Sequence, residues 1–373
     1  MSSTPAQAAR REALAVVDLD GIARNYETLA TASGSATCAA IVKGDGYGLG
    51  MLPVARTCWA SGARLYFVAR FADGQSLRAA LPDARIAILD GLSGWPPKAL
   101  ADLRLEPVLG TRADVRQWLD LPSPGPCMVH VDTGMNRLGL KPRELASVAD
   151  SVRTHSKAIT AYLTHFASAD DIDLKLCHEQ VARFTAAIAG LPPAPKSIVN
   201  SSGLYLGVPE WRQAITRPGK ALAGINPMPP GEANPMRQVM SLTAPTLQVS
   251  EVARGDSIGY SATFRASRPM RIATLGIGYA NGYLRALSNR GIVAFNGRRA
   301  PVVGRVSMDV TTVDVTVLSD ADLSAGFAEI LGSTIGLTEL AGLAESNEYE
   351  MQIALGRGCK RVYVGTAAAA VNP

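Results

Sequence analysis

The chain has 373 residues, of which 47% are apolar and 18% charged, a composition that excludes a disordered or fibrous protein. Its 37 lysines and arginines exceed its 32 aspartates and glutamates by five, a modest positive charge that hints at an anionic partner. The five cysteines form no CxxC pair, which indicates reduced thiols rather than a disulfide framework or a zinc site, and we expect no bound metal.

No apolar run approaches the ~18 residues that a membrane span requires. Residues 1–11 lack the apolar stretch of a secretory signal. We therefore expect a cytoplasmic protein without a membrane partner. No basic run interleaved with aromatic residues occurs, so nucleic acid is not an expected partner either.

From about residue 14 to residue 225, short apolar runs alternate with stretches that have helical spacing. The apolar runs are 14–18, 36–43, 65–70, 86–89, 106–109, 127–132, 158–164 and 197–200. The helical stretches include 21–32, 52–60, 142–154 and 174–188. About eight βα units over ~200 residues predict an α/β fold in which a (β/α)8 barrel of the TIM type closes on itself.

Near residue 226 prolines cluster and the helical pattern largely stops, which predicts a domain boundary. Runs at 242–252, 270–277, 292–295 and 300–315 predict strands, and Asn296-Gly297 predicts a hairpin turn. We expect a segment at 1–13 that packs on the C-terminal domain, a barrel at 14–240, and a mostly β domain at 241–373.

The first candidate for chemistry is Lys43, at the end of a buried-type strand and before the glycine-rich sequence GDGYGLG. The carboxyl ends of barrel strands carry function. Burial there lowers the pKa of a lysine and makes its amine a nucleophile or a base. Neither GxGxxG nor GxxxxGK[ST] is matched, which excludes the dinucleotide and P-loop motifs. A strand-capping lysine before an ordinary turn is the alternative.

Further polar clusters follow other predicted strands. They begin at His130, Thr164, Asn200 and Thr216. One such cluster is ordinary in a folded protein, but five on one predicted rim favour a functional site. The glycine- and serine-bearing loops could offer backbone N–H groups and a hydroxyl to a phosphate.

At this point nine motifs, spread over nearly the whole chain, carry a resemblance. In order they are KGDGYGLG, DTGMNRLGL, LTHFASAD, NSSG, TRPGKAL, GDSIGYSATF, GIGYANGY, GRVSMDV and EYEMQIALGRG. The chain resembles the alanine racemases, fold-type III enzymes that use pyridoxal 5'-phosphate (PLP) and consist of a barrel and a β domain. The resemblance implies a PLP-dependent isomerase that interconverts L-alanine and D-alanine, a precursor of peptidoglycan.

The resemblance also implies roles for single residues. Lys43 would hold PLP as a Schiff base and act as one catalytic base. Tyr260, contributed by the other subunit, would act on the opposite face, so that a homodimer with shared active sites is required. The implied cofactor-binding residues are Tyr47, Ser201, Tyr349 and the N–H groups of Gly219 and Lys220 at the phosphate, Arg217 at the pyridine nitrogen, His165 in support of Arg217, and Asn200. Arg137, Met308 and Asp309 would bind the substrate, and Asp170, Tyr279, Arg285 and Arg305 would line an entrance corridor.

Two departures from the family pattern leave alternatives open. His130 stands where the family often has a carbamylated lysine that orients the arginine, so we expect Arg137 to be positioned by His130, Asp132 or a bound anion. Ser307 stands where cysteine is usual, which favours a racemase of serine or of a broader range of amino acids as an alternative. An amino-acid decarboxylase and a non-catalytic PLP-binding protein are more remote alternatives.

Overall fold

The computed structural model describes residues 12–229 and 231–366. The chain divides into two compact units. The first, called here the barrel unit, comprises Gly21–Gly46 and Met51–Arg237. The second, the β unit, collects Tyr47–Gly50, the chain up to Asp20 and the chain from Gln238 onward. Most of the segment 1–13, expected to pack on the C-terminal domain, lies outside the described residues.

The first ten strands of the chain alternate with helices, and all of them except β1 lie in the barrel unit. The strands are β1 (Leu14–Asp18), β2 (Thr37–Cys38), β3 (Ala40–Ile41), β4 (Leu65–Val68), β5 (Arg85–Ile88), β6 (Leu105–Leu109), β7 (Cys127–His130), β8 (Ile159–Leu163), β9 (Lys196–Asn200) and β10 (Ile215–Arg217). The helices are Leu19–Ser33, Met51–Ala60, Phe71–Ala80, Pro97–Asp102, Arg112–Leu119, Pro142–Ala146, Ala149–Thr154 and Lys175–Ile188.

Strands β2 to β10 form a parallel barrel. Their order is β2-β10-β9-β8-β7-β6-β5-β4-β3. Because β2 and β3 are the two halves of one run interrupted at Ala39, the pairing of β2 with β10 and of β3 with β4 closes the barrel with eight strand positions. Strands β4 and β6 are buried along their whole length, as expected of strands covered on both faces. The prediction of a (β/α)8 barrel is confirmed.

Strand β1 does not belong to this barrel, so the prediction that the barrel begins at residue 14 is wrong. It pairs antiparallel with Met240–Val252 and parallel with Lys360–Val364, both in the β unit. A short apolar strand before an amphipathic helix has the same pattern in either sheet, and its partners lie more than 200 residues away in the chain. Likewise the barrel unit ends at Arg237 rather than at residue 240.

Two helical stretches of the barrel unit differ from the sequence prediction. The stretch 142–154 is two short helices, since the backbone leaves the helical region at Val148 (φ −120°, ψ 11°). The helix Phe71–Ala80 escaped prediction because it is polar and contains Gly74. A Cβ at Gly74 would lie 2.5 Å from Cδ1 of Ile88, so the helix packs closely on β5 and a larger residue there would require the Ile88 side chain to shift.

The β unit contains the remaining strands. They are β11 (Met240–Val252), β12 (Ser257–Ile258), β13 (Phe264–Arg265), β14 (Met270–Leu275), β15 (Ile292–Phe295), β16 (Arg298–Pro301), β17 (Thr311–Asp314), β18 (Phe327–Leu331) and β19 (Lys360–Val364). One sheet has the order β16-β15-β18-β11-β1-β19, and β14 pairs with both β11 and β17. Three helices that the sequence pattern did not reveal are Asp320–Leu323, Leu337–Leu343 and Glu348–Gly358.

The hairpin predicted at Asn296-Gly297 is confirmed, with φ values of 48° and 78° at its two turn residues and Phe295 opposite Arg298. The run 300–315 is not one strand. It passes from β16 through a loop to β17, and Gly304 in that loop has φ 78°. No helix in the described part of the chain is long and apolar enough to cross a membrane.

Candidate active site

Five of the clusters expected to carry chemistry lie at the carboxyl ends of barrel strands. Lys43 follows β3, His130 ends β7, His165 follows β8, Asn200 ends β9 and Arg217 ends β10. Because the strands are parallel and closed, their carboxyl ends share one rim, which is where active sites of this fold are built. The barrel therefore gathers these residues, which are far apart in the sequence.

The backbone after Lys43 makes an unusual turn. Gly44, Asp45, Gly46 and Tyr47 all have left-handed φ values, of 64°, 58°, 63° and 57°. Left-handed conformations cost about 1–2 kcal/mol for each residue with a Cβ, so the two glycines limit the strain to Asp45 and Tyr47. Strain of this kind persists where the surroundings fix it and is typical of functional sites.

The Lys43 amine lies in a cationic and largely buried environment. Burial lowers its pKa below the usual value, and Arg137 and Arg217 lower it further, while Asp90 opposes the shift. Each cause except Asp90 disfavours the ammonium form. Lys43 is thus more readily a neutral amine than a surface lysine is.

Arg217 is the most enclosed cation of the barrel rim, with 5% of its surface exposed. Its guanidinium donates hydrogen bonds to Ser197 Oγ and to the Thr164 carbonyl, and Nη2 lies 3.4 Å from Nδ1 of His165. Burial lowers the pKa of Arg217 to about 10, so it stays charged at neutral pH. Burial and the neighbouring cations hold the pKa of His165 well below its usual value, so His165 is a neutral acceptor for Arg217.

A second group of polar atoms surrounds Ser201, which is buried. Its Oγ accepts hydrogen bonds from the backbone N–H groups of Gly219 (2.9 Å) and Ala221 (3.2 Å). Asn200 Oδ1 accepts from the N–H of Gly203 at 2.9 Å and fixes the turn that follows β9. Converging backbone N–H groups and a hydroxyl form a cradle suited to a phosphate.

Lys220 extends from the same loop to an ion pair. Its Nζ lies 2.6 Å from Oδ1 of Asp170, which also accepts a hydrogen bond from Ser202 Oγ. Burial raises the pKa of Asp170, but the hydrogen bonds from Lys220 and Ser202 outweigh it and lower that pKa overall. The expected corridor residue Asp170 is thereby tied to the loop 217–220.

Arg137 lies on a loop whose backbone is held by Asp132. Oδ1 of Asp132 accepts hydrogen bonds from the N–H groups of Gly134 (3.0 Å), Met135 (3.0 Å) and Asn136 (3.1 Å). Within the described residues, no hydrogen bond or ion pair joins the Arg137 guanidinium to His130 or Asp132. Asp132 thus holds the backbone of the loop that carries Arg137 rather than its guanidinium, and the positioning of Arg137 by His130, Asp132 or a bound anion stays a prediction.

His130 instead packs against the base of that loop. A Cβ at Gly139 would lie 3.1 Å from the ring carbons Cγ and Cδ2 of His130. Burial and the charge of Arg217 lower the pKa of His130 to about 4, so the ring is neutral at physiological pH.

Replacement of His130 by glutamine is expected to make the protein less sensitive to acid. The folded protein keeps His130 neutral to about pH 4, whereas the unfolded chain protonates it near the ordinary value of 6.5. The unfolded state therefore binds more protons in this window, and the free energy of unfolding falls by up to about 3 kcal/mol as the pH drops through it. Urea unfolding at pH 7 and pH 4.5 measures the difference. An equal acid loss in wild type and His130→Gln would contradict the assignment.

In the β unit, two tyrosines named by the sequence are neighbours. Burial raises the pKa of Tyr47, and the nearby phenol of Tyr349 raises it further. The helix Glu348–Gly358 supplies both Tyr349 and Gln352, whose Nε2 donates to the Tyr47 carbonyl at 3.3 Å. Arg361 Nη1 donates to the Gly48 carbonyl at 3.1 Å. The backbone at the end of the strained turn is therefore held at two successive carbonyls.

Tyr260 begins a tight turn after β12. Gly259 (φ 73°), Ser261 (φ 60°) and Ala262 (φ 46°) all have positive φ, and the Tyr260 side chain is 70% exposed. A Cβ at Gly259 would lie 3.1 Å from the backbone nitrogen of Arg305, so the turn packs closely on the following loop.

The remaining predicted residues of the β unit lie on connected loops. The N–H groups of Tyr279 and Ala280 donate to the carbonyls of Ser307 (3.0 Å) and Met308 (2.9 Å). The hydroxyl of Ser288, in the turn that begins at Arg285, accepts from the N–H of Val306 at 3.0 Å. These bonds join the loops that carry Tyr279, Arg285, Arg305 and Met308, and Asp309 is exposed beside Met308.

Three residues that hold the site were missed by the sequence reading: Gln180, Gln352 and Arg361. Gln180 and Gln352 are 0% and 3% exposed. For Gln180 and Gln352, the signal in the sequence is a glutamine on an otherwise apolar helix face, since a buried amide must find hydrogen-bond partners. No comparable signal marks Arg361.

A half-buried lysine with a lowered pKa on the rim of a (β/α)8 barrel, beside an enclosed arginine and a phosphate-type cradle, is typical of a barrel enzyme. Comparison with models of known protein families identifies the family. The alanine racemase N-terminal domain model matches residues 17–227, and the C-terminal domain model matches residues 239–363. The chain belongs to the alanine racemase family.

Individual relatives agree with this assignment. The alanine racemase of Methylobacterium sp. (strain 4-46) is 38% identical over 353 residues, covering 93% of this chain and 96% of that protein. That of Acidiphilium cryptum (strain JF-5) is 40% identical over 352 residues, covering 93% and 97%. A crystal structure of alanine racemase from Bartonella henselae with covalently bound pyridoxal phosphate has a TM-score of 0.90 at 33% identity, covering 95% of this chain and 99% of that one.

Proposed function

We propose that this chain is an alanine racemase that uses PLP, with Lys43 and Tyr260 as its two bases. The observation that carries the proposal is the environment of Lys43, whose amine lies at the end of the first barrel strand with its pKa lowered by burial and by Arg137 and Arg217. Racemisation needs removal of the Cα proton on one face and its return on the other. Two bases on opposite faces achieve this without turning the substrate over.

The barrel residues fit the cofactor. The Ser201 hydroxyl lies at the point where the backbone N–H groups of Gly219 and Ala221 converge, and together with Gly219, Lys220 and Asn200 it would hold the phosphate. Tyr47 and Tyr349 of the β unit are the further phosphate ligands in this proposal. When bound, PLP supplies an electron sink that stabilises the charge left at Cα.

Arg217 would face the pyridine nitrogen. Its pKa of about 10 means that it donates a hydrogen bond at neutral pH without giving up its proton. His165, held neutral, accepts from Arg217 and fixes the direction of the guanidinium. Arg217 in this position would keep the pyridine nitrogen unprotonated, which would limit charge delocalisation and disfavour side reactions such as transamination.

Arg137 would bind the substrate carboxylate, with the backbone N–H of Met308 and the neighbouring Asp309 completing that subsite. The Arg137 guanidinium has no ion-pair partner among the described residues, so it is available to an incoming anion. Its loop is fixed by Asp132 rather than by a contact to the guanidinium itself. Asp170, Tyr279, Arg285 and Arg305 are proposed to line the entrance corridor.

A homodimer with shared active sites is part of the proposal. Tyr260, Met308 and Tyr279 are 70%, 54% and 44% exposed, and on the barrel unit Leu138 and Ile172 are 47% and 81% exposed. Large exposed apolar side chains on connected loops, such as those of Tyr279 and Met308 in the β unit, are typical of an interface. A tyrosine that acts as a base also needs a site from which water is excluded, and a partner subunit would supply one.

The five cysteines are buried and free of disulfides, which fits a reducing compartment and supports a cytoplasmic enzyme that supplies D-alanine for peptidoglycan.

Serine racemisation is the second candidate. It is favoured by the Ser307 hydroxyl, which has no hydrogen-bond partner in the described structure. We expect kcat/KM to be higher for L-alanine than for L-serine, and a large preference for serine would reject the choice of alanine.

Cofactor attachment tests the proposal directly. The purified protein loaded with PLP should absorb visible light, and borohydride reduction should remove the band and fix the cofactor on the peptide that contains Lys43. Lys220, the other lysine of the rim, is the internal control and should remain unlabelled. A label on Lys220, or none on Lys43, would overturn the assignment of Lys43.

A further inference from the structure

Gln180 lies on the buried face of the helix Lys175–Ile188, between Cys177 and Phe184. All three side chains are fully buried. A carboxamide in such a place is costly unless its hydrogen bonds are made. Its partners therefore indicate why a polar residue occupies a position where an apolar one would pack.

The amide makes three hydrogen bonds. Nε2 donates to Thr133 Oγ1 at 3.1 Å and to the His165 carbonyl at 2.9 Å, and Oε1 accepts from the N–H of Ala167 at 2.9 Å. The orientation is fixed by chemistry, because a carbonyl can only accept and a backbone N–H can only donate. Gln180 thus spans the segments that follow β7 and β8.

Both segments lead to active-site residues. Thr133 begins the loop that carries Arg137, and its Oγ1 lies 2.8 Å from Oγ1 of Thr164. The Thr164 carbonyl accepts a hydrogen bond from Arg217, and His165 lies beside Arg217. One turn along the same helix, Arg183 Nη1 donates to the Thr133 carbonyl at 3.0 Å.

We infer that Gln180 is a positioning residue, which fixes the loop of Arg137 relative to the His165–Arg217 pair. The inference rests on the proposed function of those residues. Gln180 touches neither substrate nor cofactor and acts by fixing the backbone at Thr133, His165 and Ala167. The helix Lys175–Ile188 thereby adds further hydrogen bonds between two rim segments that the Thr133–Thr164 hydrogen bond also joins.

The test compares Gln180→Met with Phe184→Leu, a packing change on the same buried face. We expect Gln180→Met to lower kcat/KM for alanine by roughly ten- to a hundredfold, mostly through a higher KM. The reason is that the Arg137 guanidinium would no longer be correctly oriented toward the substrate carboxylate. The visible absorption of the PLP-loaded protein should also shift, since Arg217 moves at the pyridine nitrogen. Phe184→Leu should lower Tm while leaving KM and the absorption unchanged.

Gln180→Glu keeps an acceptor for Ala167 but loses the donors to Thr133 and His165, and it covers the case in which the methionine variant does not fold. It should show the same two effects to a smaller extent. If either folded variant loses Tm as Phe184→Leu does, with KM and absorption unchanged, Gln180 only packs and the inference is overturned. Wild-type protein is assayed alongside. A wild type without racemase activity would instead reject the proposed function, while the absorption comparison would still test Gln180.

Discussion

Replacement of Lys43 by alanine is expected to abolish racemisation in both directions and to prevent stable attachment of PLP. The change removes the amine whose pKa is lowered by burial, Arg137 and Arg217. Loss of a group that both holds the cofactor and moves a proton should lower kcat by at least about a thousandfold. Chiral chromatography of alanine and the visible spectrum measure the two effects.

Lys196→Ala is the matched control for this experiment. Lys196 begins β9, at the opposite end of a barrel strand from the rim, and has no proposed role. It should keep both the visible band and the activity. A Lys43→Ala protein that racemises alanine at more than a few per cent of the wild-type rate would show that another residue carries the reaction.

Replacement of Tyr260 by phenylalanine is expected to have the second-largest effect, a loss of about a hundred- to ten-thousandfold in racemisation. The hydroxyl is the proposed proton carrier on the face opposite Lys43. Exchange of the Cα proton with deuterated water should survive for one enantiomer of alanine and be lost for the other, because Lys43 is retained. Visible absorption should be retained too.

Tyr205→Phe is the control, since its buried hydroxyl has no hydrogen-bond partner among the described residues and no proposed role. It should racemise alanine as the wild type does. Full two-way racemisation by Tyr260→Phe, or loss of exchange for both enantiomers, would contradict the two-base scheme.

Mixing the two inactive variants distinguishes a shared site from a site within one subunit. If Tyr260 of the partner subunit completes the site, a dimer of Lys43→Ala with Tyr260→Phe has one intact site and one doubly defective site. A random mixture after dissociation and reassociation should then regain about a quarter of the wild-type activity. No recovery would show that Tyr260 acts within its own subunit.

The positions of the rim residues could be predicted from the sequence because parallel strands share an end. Lys43, His165 and Arg217 each follow an apolar run, and the barrel places them together. Strand β1 could not be placed, since its pairing with β11 and β19 depends on residues more than 200 positions away. The pattern of a short apolar strand is the same in both sheets.

The residues that hold the site in place by hydrogen bonds were harder to predict from the sequence than the site residues themselves. Asp132 was named as a residue that could position Arg137, but the sequence did not reveal that its carboxylate binds the backbone of the Arg137 loop. Hydrogen bonds from a side chain to distant backbone groups leave no periodic signal in the sequence. Gln180 and Gln352 are examples, because each looks like an ordinary polar position on a helix.

The central claim is that this chain interconverts the enantiomers of alanine. Incubation of the purified, PLP-loaded protein with L-alanine, followed by chiral chromatography, tests it most directly. We expect a steady rise of D-alanine to an equal mixture, which is also reached from D-alanine, without formation of pyruvate or CO₂. If L-alanine remains enantiomerically pure in the presence of fully loaded protein, this chain is not an alanine racemase.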